Sequence, residues 1–446
     1  MSNPLPEPRQ GHRRVLRLAV PIVLSNLSVP LVGLVDTAVM GRMPGPQGIG
    51  AVALGAVIFS FVYWGFGFLR MGTTGLVARE QGTRDREAMA MAIGRSLVLA
   101  LVLGLMVILL QWPIARLAVM LAPASSEVEA GMLEYFRIRV WSAPAVLLQY
   151  VLLGVFIGMQ RTGYALVTQV LLNVCNAMLS ILFVIVFGWG VTGIAVSSLI
   201  AEYFGLAVGL FLFARLLARR DIRLSLAPLR GLAAYRTLVA VNGNIFLRTL
   251  CLIAAFAWFH GQGASFGDMP LAANAILLQM VNLLAYGLDG FAHAAEALVG
   301  EAIGAGDRQG YRWALGATSI WAGGTALVYA LLYFAFGPWF IAMMTDLVEL
   351  RETAAIYLPW VVAMPLLAVW SYQLDGIFIG SLRTREMRDG MVIAFVAFLA
   401  AVFLLTPAWG NHGLWAALAV FFVARALTLL VCMRRRAPEF DGTASA

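Results

Sequence analysis

Apolar stretches long enough to cross a bilayer run almost end to end through this chain, and they leave few folds open to it. A spanning helix needs about 20 predominantly apolar residues. Twelve such stretches can be read: 14–41, 50–78, 90–121, 135–158, 163–187, 191–217, 236–260, 270–300, 313–343, 354–380, 388–407 and 411–433. Lipid offers the backbone no hydrogen-bond partners, so runs of this length predict helices. Only 12% of the residues are charged, against roughly 25% in soluble domains. The expected fold class is all-α integral membrane, with twelve transmembrane helices and no extramembrane domain.

The net charge of +8 reads as topology, not as a nucleic-acid signal. Arginines cluster in alternate loops, as the positive-inside rule requires. Arg9, Arg13, Arg14 and Arg17 precede the first span; Arg84 and Arg86 follow the second; Arg161 follows the fourth. Arg219, Arg220 and Arg223 follow the sixth, Arg308 and Arg312 the eighth, Arg383 and Arg385 the tenth, and Arg434, Arg435 and Arg436 the twelfth. The opposite loops carry Glu127, Glu129, Asp268, Asp346 and Glu349. Both termini are therefore predicted to be cytoplasmic, in a multi-pass protein of the inner (cytoplasmic) membrane. The first apolar run lacks a convincing cleavage site, so no signal peptide is expected. Cys175, Cys251 and Cys432 predict neither a structural disulfide nor a metal site.

The chain repeats itself. Gly154-Val155-Phe156-Ile157-Gly158 recurs as Gly376-Ile377-Phe378-Ile379-Gly380, 222 residues on. The same offset carries Leu76-Val77 onto Leu298-Val299, Gly82 onto Gly304, and Asp85-Arg86 onto Asp307-Arg308. Six spans separate the copies, an even number. The halves therefore share one orientation and are related by a pseudo-twofold axis along the membrane normal. The expected domains are an N-lobe over 1–217, a cytoplasmic linker over 218–235, and a C-lobe over 236–446 with a short basic tail. Transporters built this way bind near the midplane and alternate access by rocking one half against the other.

Polar residues break the symmetry. Asp36 lies in an otherwise lipid-soluble run, and an intramembrane acid is a functional-site hypothesis by default. Its equivalent in the second half is Trp258. Asn173, Asn176 and Ser180 share one side of the fifth span, and Ser198 and Glu202 one side of the sixth. These can surround Asp36 with hydrogen bonds and little fixed charge. A carboxylate so placed can load a proton from one side and release it on the other; the bland reading is a hydrogen-bonding strut. Pro21 and Pro30 lie in the same span and permit a bend. In the eighth span Gln279, Asn282, Tyr286, Asp289, His293 and Glu296 follow helical spacing on one face. That stripe reads as interhelical glue, as the lining of a wet pathway, or as a buried network with Arg248 and Asp375. Arg248 is the one arginine expected deep within a span.

These residues resemble the multidrug and toxic compound extrusion (MATE) transporters, and their DinF-like branch in particular. The resemblance covers nearly the whole chain. It rests on Pro21, on Val35-Asp36-Thr37-Ala38-Val39-Met40-Gly41, and on the duplicated Gly-hydrophobic-Phe-Ile-Gly segments. Asn244-Ile245-Phe246-Leu247-Arg248-Thr249 and Leu271-Ala272-Ala273-Asn274 point to the DinF-like branch. The resemblance implies two six-helix lobes and export of drugs or toxic metabolites, amphipathic or cationic, driven by proton or sodium entry. It implies a coupling role for Asp36 and an N-lobe polar cluster at Asn176, Ser180 and Ser198. Many relatives carry a second aspartate where this chain has Ser180, and sodium-coupled relatives use acids in the seventh and tenth spans, where this chain keeps Asp375 in the tenth but has Arg248 and no acid in the seventh. Both departures favour H+ over Na+.

The alternatives are a sodium-coupled version of the same antiporter and a lipid-linked precursor flippase of related fold. Gly304-Ala305-Gly306-Asp307-Arg308-Gln309-Gly310-Tyr311-Arg312 also loosely resembles a cytoplasmic loop motif of the major facilitator superfamily. A membrane enzyme is the different-class alternative; no nucleophile elbow or phosphate loop supports it. No cofactor is expected, and a monomer is the simplest functional unit.

Overall fold

The computed structural model describes residues 8–42, 46–121, 124–224 and 235–440. These residues form fifteen α-helices: α1 (Pro8–Met40), α2 (Pro46–Gly65), α3 (Phe68–Thr83), α4 (Arg86–Leu109), α5 (Gln111–Leu121), α6 (Ser126–Arg139), α7 (Ala143–Gly158), α8 (Thr162–Ser180), α9 (Gly190–Arg220), α10 (Arg236–Ala264), α11 (Asp268–Gly304), α12 (Arg308–Met344), α13 (Val348–Gly380), α14 (Thr384–Trp409) and α15 (Asn411–Arg435). Eleven helical stretches among the described residues are long and apolar enough to cross a membrane. The predicted first span lies in the 33-residue α1. Leu31, Val32, Leu34 and Thr37 fall outside the described side chains, and most of the linker falls outside the described residues.

Several spans are jointed. The second is α2 and α3 with a break at Phe66–Gly67. The third ends at Leu110, after which α5 is a separate helix. The fourth starts earlier than expected, at Ser126, and turns through a 3-10 segment at Val140–Ser142 between α6 and α7. After Ser180 the fifth widens into a π-helical turn, Ile181–Val186.

Contacts divide the chain into two compact units. One gathers the chain up to Val23, Ala78–Arg84 and everything from Ala240 on; the other holds Leu24–Val77 and Asp85–Val239. One cut, between Val239 and Ala240 in the first turn of α10, falls just past the linker, and the others fall earlier in the chain. α1 passes from one unit to the other between Val23 and Leu24, and α3 between Val77 and Ala78.

The repeat has a physical basis in backbone proximity. In the second unit, a Cβ on Gly154 would lie 2.6 Å from the Arg70 carbonyl oxygen, and one on Gly158 2.9 Å from that of Thr74. In the first unit, Gly376 and Gly380 meet the Ala292 and Glu296 carbonyls at 2.3 and 2.5 Å. Small residues one turn apart let two helices touch through their backbones. The loops repeat as well. Asp85 accepts from the Glu87 and Ala88 amides at the start of α4, and Asp307 from the Gly310 amide at the start of α12. Arg84 and Gly306, and likewise Gln160 and Leu382, take left-handed φ at equivalent positions.

Within the first unit the ends of α3 and α11 cross symmetrically. Gly82 faces the Glu301 carbonyl, and Gly304 faces that of Arg79. Both pairs exchange under the 222-residue offset.

Candidate functional site

Asp36 sits in the second unit, half-buried, on the part of α1 beyond Leu24. The Ser180 hydroxyl donates to its Oδ1 at 3.2 Å. Ser180 is fully buried, and its oxygen lies 2.8 Å from Ser197 Oγ and 3.5 Å from Asn176 Oδ1. Asn176 donates to Ser198 Oγ at 3.2 Å. The helical spacing of Asn176 and Ser180 on α8 and the adjacent Ser197 and Ser198 on α9 gather four small polar groups into one cluster, of which Ser180 touches the carboxylate. The structure thus brings together Asp36, Asn176, Ser180 and Ser198, and adds Ser197. Asn173 turns elsewhere. It donates to Ser28 at 2.7 Å on the same α1 and accepts from Gln169 at 3.1 Å.

Glu202 is one turn beyond Ser198 on α9. Gln149 of α7 holds it, donating to both its carboxylate and its backbone carbonyl at 2.9 Å. A residue the sequence did not single out, Arg139, acts electrostatically on both Glu202 and Asp36. Its Nη1 donates to the Tyr135 hydroxyl at 2.9 Å, and its guanidinium lies 5.5 Å from the Phe59 ring centre. Hydrogen bonds thus join Arg139 to Tyr135 on one side, and Asn176 to Ser198 and Ser180 to Asp36 on the other. The expectation of one arginine deep in a span is corrected here. α6 extends back to Ser126, which puts Arg139 near the middle of a 33-residue spanning stretch.

The first unit holds the other predicted polar residues. Arg248 of α10 and Asp375 of α13 form a buried ion pair. Asp375 also pairs with Arg425 of α15, which is 2% exposed, so a third arginine lies deep in a span. Arg425 packs over the Tyr372 ring, 5.6 Å from its centre. Asp289 interacts electrostatically with Arg248. The stripe on α11 splits along its length. Gln279 and Asn282 are exposed, and Tyr286 and Asp289 half-buried. His293 and Glu296 are buried and bonded to each other, Nδ1 to Oε1, at 3.0 Å. Pro21 lies in α1 two residues before that helix changes units. Trp258, the counterpart of Asp36, packs edge-on against Phe403 at 6.1 Å.

A duplicated helical bundle with ionisable groups inside its spans defines a membrane transporter of two-repeat design. The MatE family model matches the chain twice, over residues 21–182 and 246–406. The chain belongs to the MATE family, in its DinF-like branch, and is not an enzyme. It is 39% identical to DNA damage-inducible protein F of Escherichia coli (strain K12), over 94% of this chain and 91% of that one. It is 28% identical to "Probable multidrug resistance protein NorM" of Pseudomonas putida, over 94% and 93% of the two chains. Among solved structures, an outward-facing multidrug resistance MATE family transporter of the MOP superfamily matches with TM-score 0.85 and 20% identity, over 96% of each chain. A MOP superfamily transporter from Pyrococcus furiosus gives 0.86 and 19%, again over 96% of each. Likeness at that identity establishes the fold alone.

Proposed function

We propose that the chain is a proton-coupled efflux antiporter, that Asp36 carries the proton, and that the exported compounds are amphipathic or cationic. The observation that carries this reading is the bond between Asp36 and Ser180. A hydroxyl can donate to an ionised carboxylate and accept from a protonated one. Ser180 therefore serves Asp36 in both states, with Asn176 Oδ1 and Ser197 Oγ placed to accept its proton when Asp36 is protonated. An oxygen cage around sodium would want more negative charge than one aspartate facing serines and an arginine. Asp375 is a poor sodium ligand for a related reason, since two arginines already occupy it. The flippase alternative needs a cationic cavity for phosphate. Here Arg139, Arg248 and Arg425 each act on carboxylates of their own unit.

Drug export is supported by the multidrug resistance names of relatives that align along most of the chain. Cytoplasmic termini follow from the arginine-rich loops. Access alternates between the two faces as the halves rock, and a monomer suffices for it.

The test is dye efflux from vesicles under an imposed proton gradient, with and without sodium, for wild type and Asp36→Asn at matched protein level. The expected result is sodium-independent efflux that falls at least tenfold in the variant. Efflux retained by Asp36→Asn would reduce Asp36 to a strut. Efflux that requires sodium would replace the proton as the coupling ion.

A further inference from the structure

His412 stands in the first turn of α15 with two aromatic residues of α13 against it. The Trp360 indole N–H donates to its Nδ1 at 3.1 Å. Its ring lies 4.8 Å from that of Tyr357, tilted by 60°. Indole is a donor only, so Nδ1 carries a lone pair and the proton of the neutral ring sits on Nε2. Neighbours in α15 are held by groups that do not titrate. The Asn274 and Asn411 amides bond each other at 2.7 and 2.9 Å, and Trp415 Nε1 donates to Asn274 Oδ1 at 2.8 Å.

Tyr357 and Trp360 flank Pro359, one of two prolines inside α13. Proline offers no N–H to the carbonyl one turn earlier, so a helix bends there at little cost. His412 touches α13 on both sides of that weak point. Further along the same two helices, Asp375 of α13 pairs with Arg425 of α15, about 20 Å away at 1.5 Å per residue. The two contacts differ in chemistry. Arginine keeps its charge throughout, whereas the ordinary charge change of histidine falls between pH 5 and 8. A protonated Nδ1 can only donate, and it would face the donor N–H of Trp360.

We propose that neutral His412 splints α13 across Pro359, and that its protonation releases Trp360 and lets the first turns of α13 bend. The Tyr357 ring can hold the charged imidazole, so one side of the splint goes and the other stays. The other charged and titratable groups at this end of the unit are Glu349, Arg351 and Glu352 on α13, Asp346 just before it, Asp268 on α11 and His260 on α10. α14 carries its charged residues at the opposite end, over 385–389. Arg351 is paired with Asp346, and among the described residues none of these groups is paired with His412. On the topology proposed above, this end faces the outside, the side from which protons enter. The splint itself does not depend on the transport reading.

The experiment uses the full chain in lipid nanodiscs. Amide hydrogen exchange over 348–361 is compared at pH 8 and pH 5 after correction for the chemical exchange rate. Nitrogen-15 NMR of labelled histidine reports the state of Nδ1; with four histidines in the chain, the His412 signal is assigned by its loss in His412→Gln. Wild type is expected to show an unprotonated Nδ1 at pH 8 and to lose protection about two- to fivefold at pH 5, as the loss of one net hydrogen bond allows. His412→Gln offers an uncharged acceptor at both pH values and should stay protected at both. Trp360→Phe should show the lower protection at both. Pro359→Ala restores the missing helical bond and should make exchange indifferent to pH. Equal protection of wild type at pH 8 and pH 5 would overturn the proposal. So would a His412→Gln or Trp360→Phe variant that loses protection with pH as wild type does, or a wild type whose Nδ1 is already protonated at pH 8.

Discussion

A single hydroxyl decides how Asp36 can behave. Ser180 is an uncharged partner that bonds either state of the acid, so loading or losing a proton leaves no orphaned group behind. Ser180→Ala removes that accommodation, and gradient-driven efflux is expected to fall about tenfold, in line with the roughly 1.5–3 kcal/mol of a hydrogen bond to a charged group. Ser180→Thr keeps a hydroxyl at the same place and should stay within about twofold of wild type, since its hydrogen bond is retained. If both variants transport equally, the hydroxyl is not part of the coupling. Asp375 presents the opposite case. Its carboxylate is shared by Arg248 and Arg425, all three being buried. Asp375→Asn leaves two guanidinium groups without their counter-ion, and removing one partner of a buried pair costs about 3–5 kcal/mol. A clear drop in the melting temperature of the purified variant is expected, whereas Asp36→Asn should melt close to wild type. A stable but transport-dead Asp375→Asn would instead place Asp375 in the transport cycle. Asp36 was legible in the sequence because one acid in an apolar run has few bland explanations. Arg139 was not, because an arginine near the start of a span is usually a loop residue. Only the backward extension of α6 to Ser126 reveals its depth, about 20 Å from that end at 1.5 Å per residue.

At the scale of elements, the repeat is a statement about where helices touch. Gly154, Gly158, Gly376 and Gly380 could be matched along the chain because backbone contact tolerates no Cβ, and that demand is independent of the rest of the sequence. The crossing of α3 with α11 is the tightest example. A Cβ on Gly304 would stand 2.0 Å from the Arg79 carbonyl oxygen, and one on Gly82 2.1 Å from that of Glu301. Neither neighbour is a flexible side chain, so the helices themselves must move. Gly304→Ala should therefore destabilise the protein by at least the roughly 1–3 kcal/mol typical of overpacking. Gly316→Ala, where a Cβ meets open space, serves as the control and should be neutral or slightly stabilising. Melting of the two purified variants side by side checks this, and equal stability would mean that the crossing yields freely. The joints were less legible. The break at Phe66–Gly67, the 3-10 turn at Val140–Ser142 and the π-turn after Ser180 interrupt apolar runs whose composition continues unchanged. Hydropathy sees length, not helical pitch. The π-turn is also where the halves differ, since the matching stretch of α14 is regular helix. Such turns occur often at functional sites, and this one begins at the residue after Ser180.

For the whole molecule, the informative fact is that three helices, α1, α3 and the start of α10, are divided between the units. Sequence periodicity cut the chain once, in the basic linker, because duplication is visible as an offset. Packing cuts it just past there, between Val239 and Ala240, and also within α1 and α3, because a helix can begin among one set of neighbours and end among another. That choice is made by surfaces distant in sequence and leaves no local mark. α1 consequently joins the unit that holds Asp36 to the one that holds Arg248 and Asp375 by a single stretch of backbone. Pro21 stands two residues before the junction, with no N–H to offer the carbonyl one turn earlier, so bending there costs less than in an unbroken helix. If protonation of Asp36 acts on the other unit through this helix, stiffening it should uncouple the two without harming either. Pro21→Ala is then expected to bind dye as wild type does and to melt no lower, while efflux under a proton gradient falls by roughly tenfold, the effect of about 1.4 kcal/mol on a conformational step. Dye binding and efflux measured on the same preparation separate the outcomes. Loss of both would mean a damaged fold. Full efflux from Pro21→Ala would show that coupling does not travel by a bend in α1, and would leave α3, which changes units between Val77 and Ala78, and α10, which does so between Val239 and Ala240, as the other helices divided between the two.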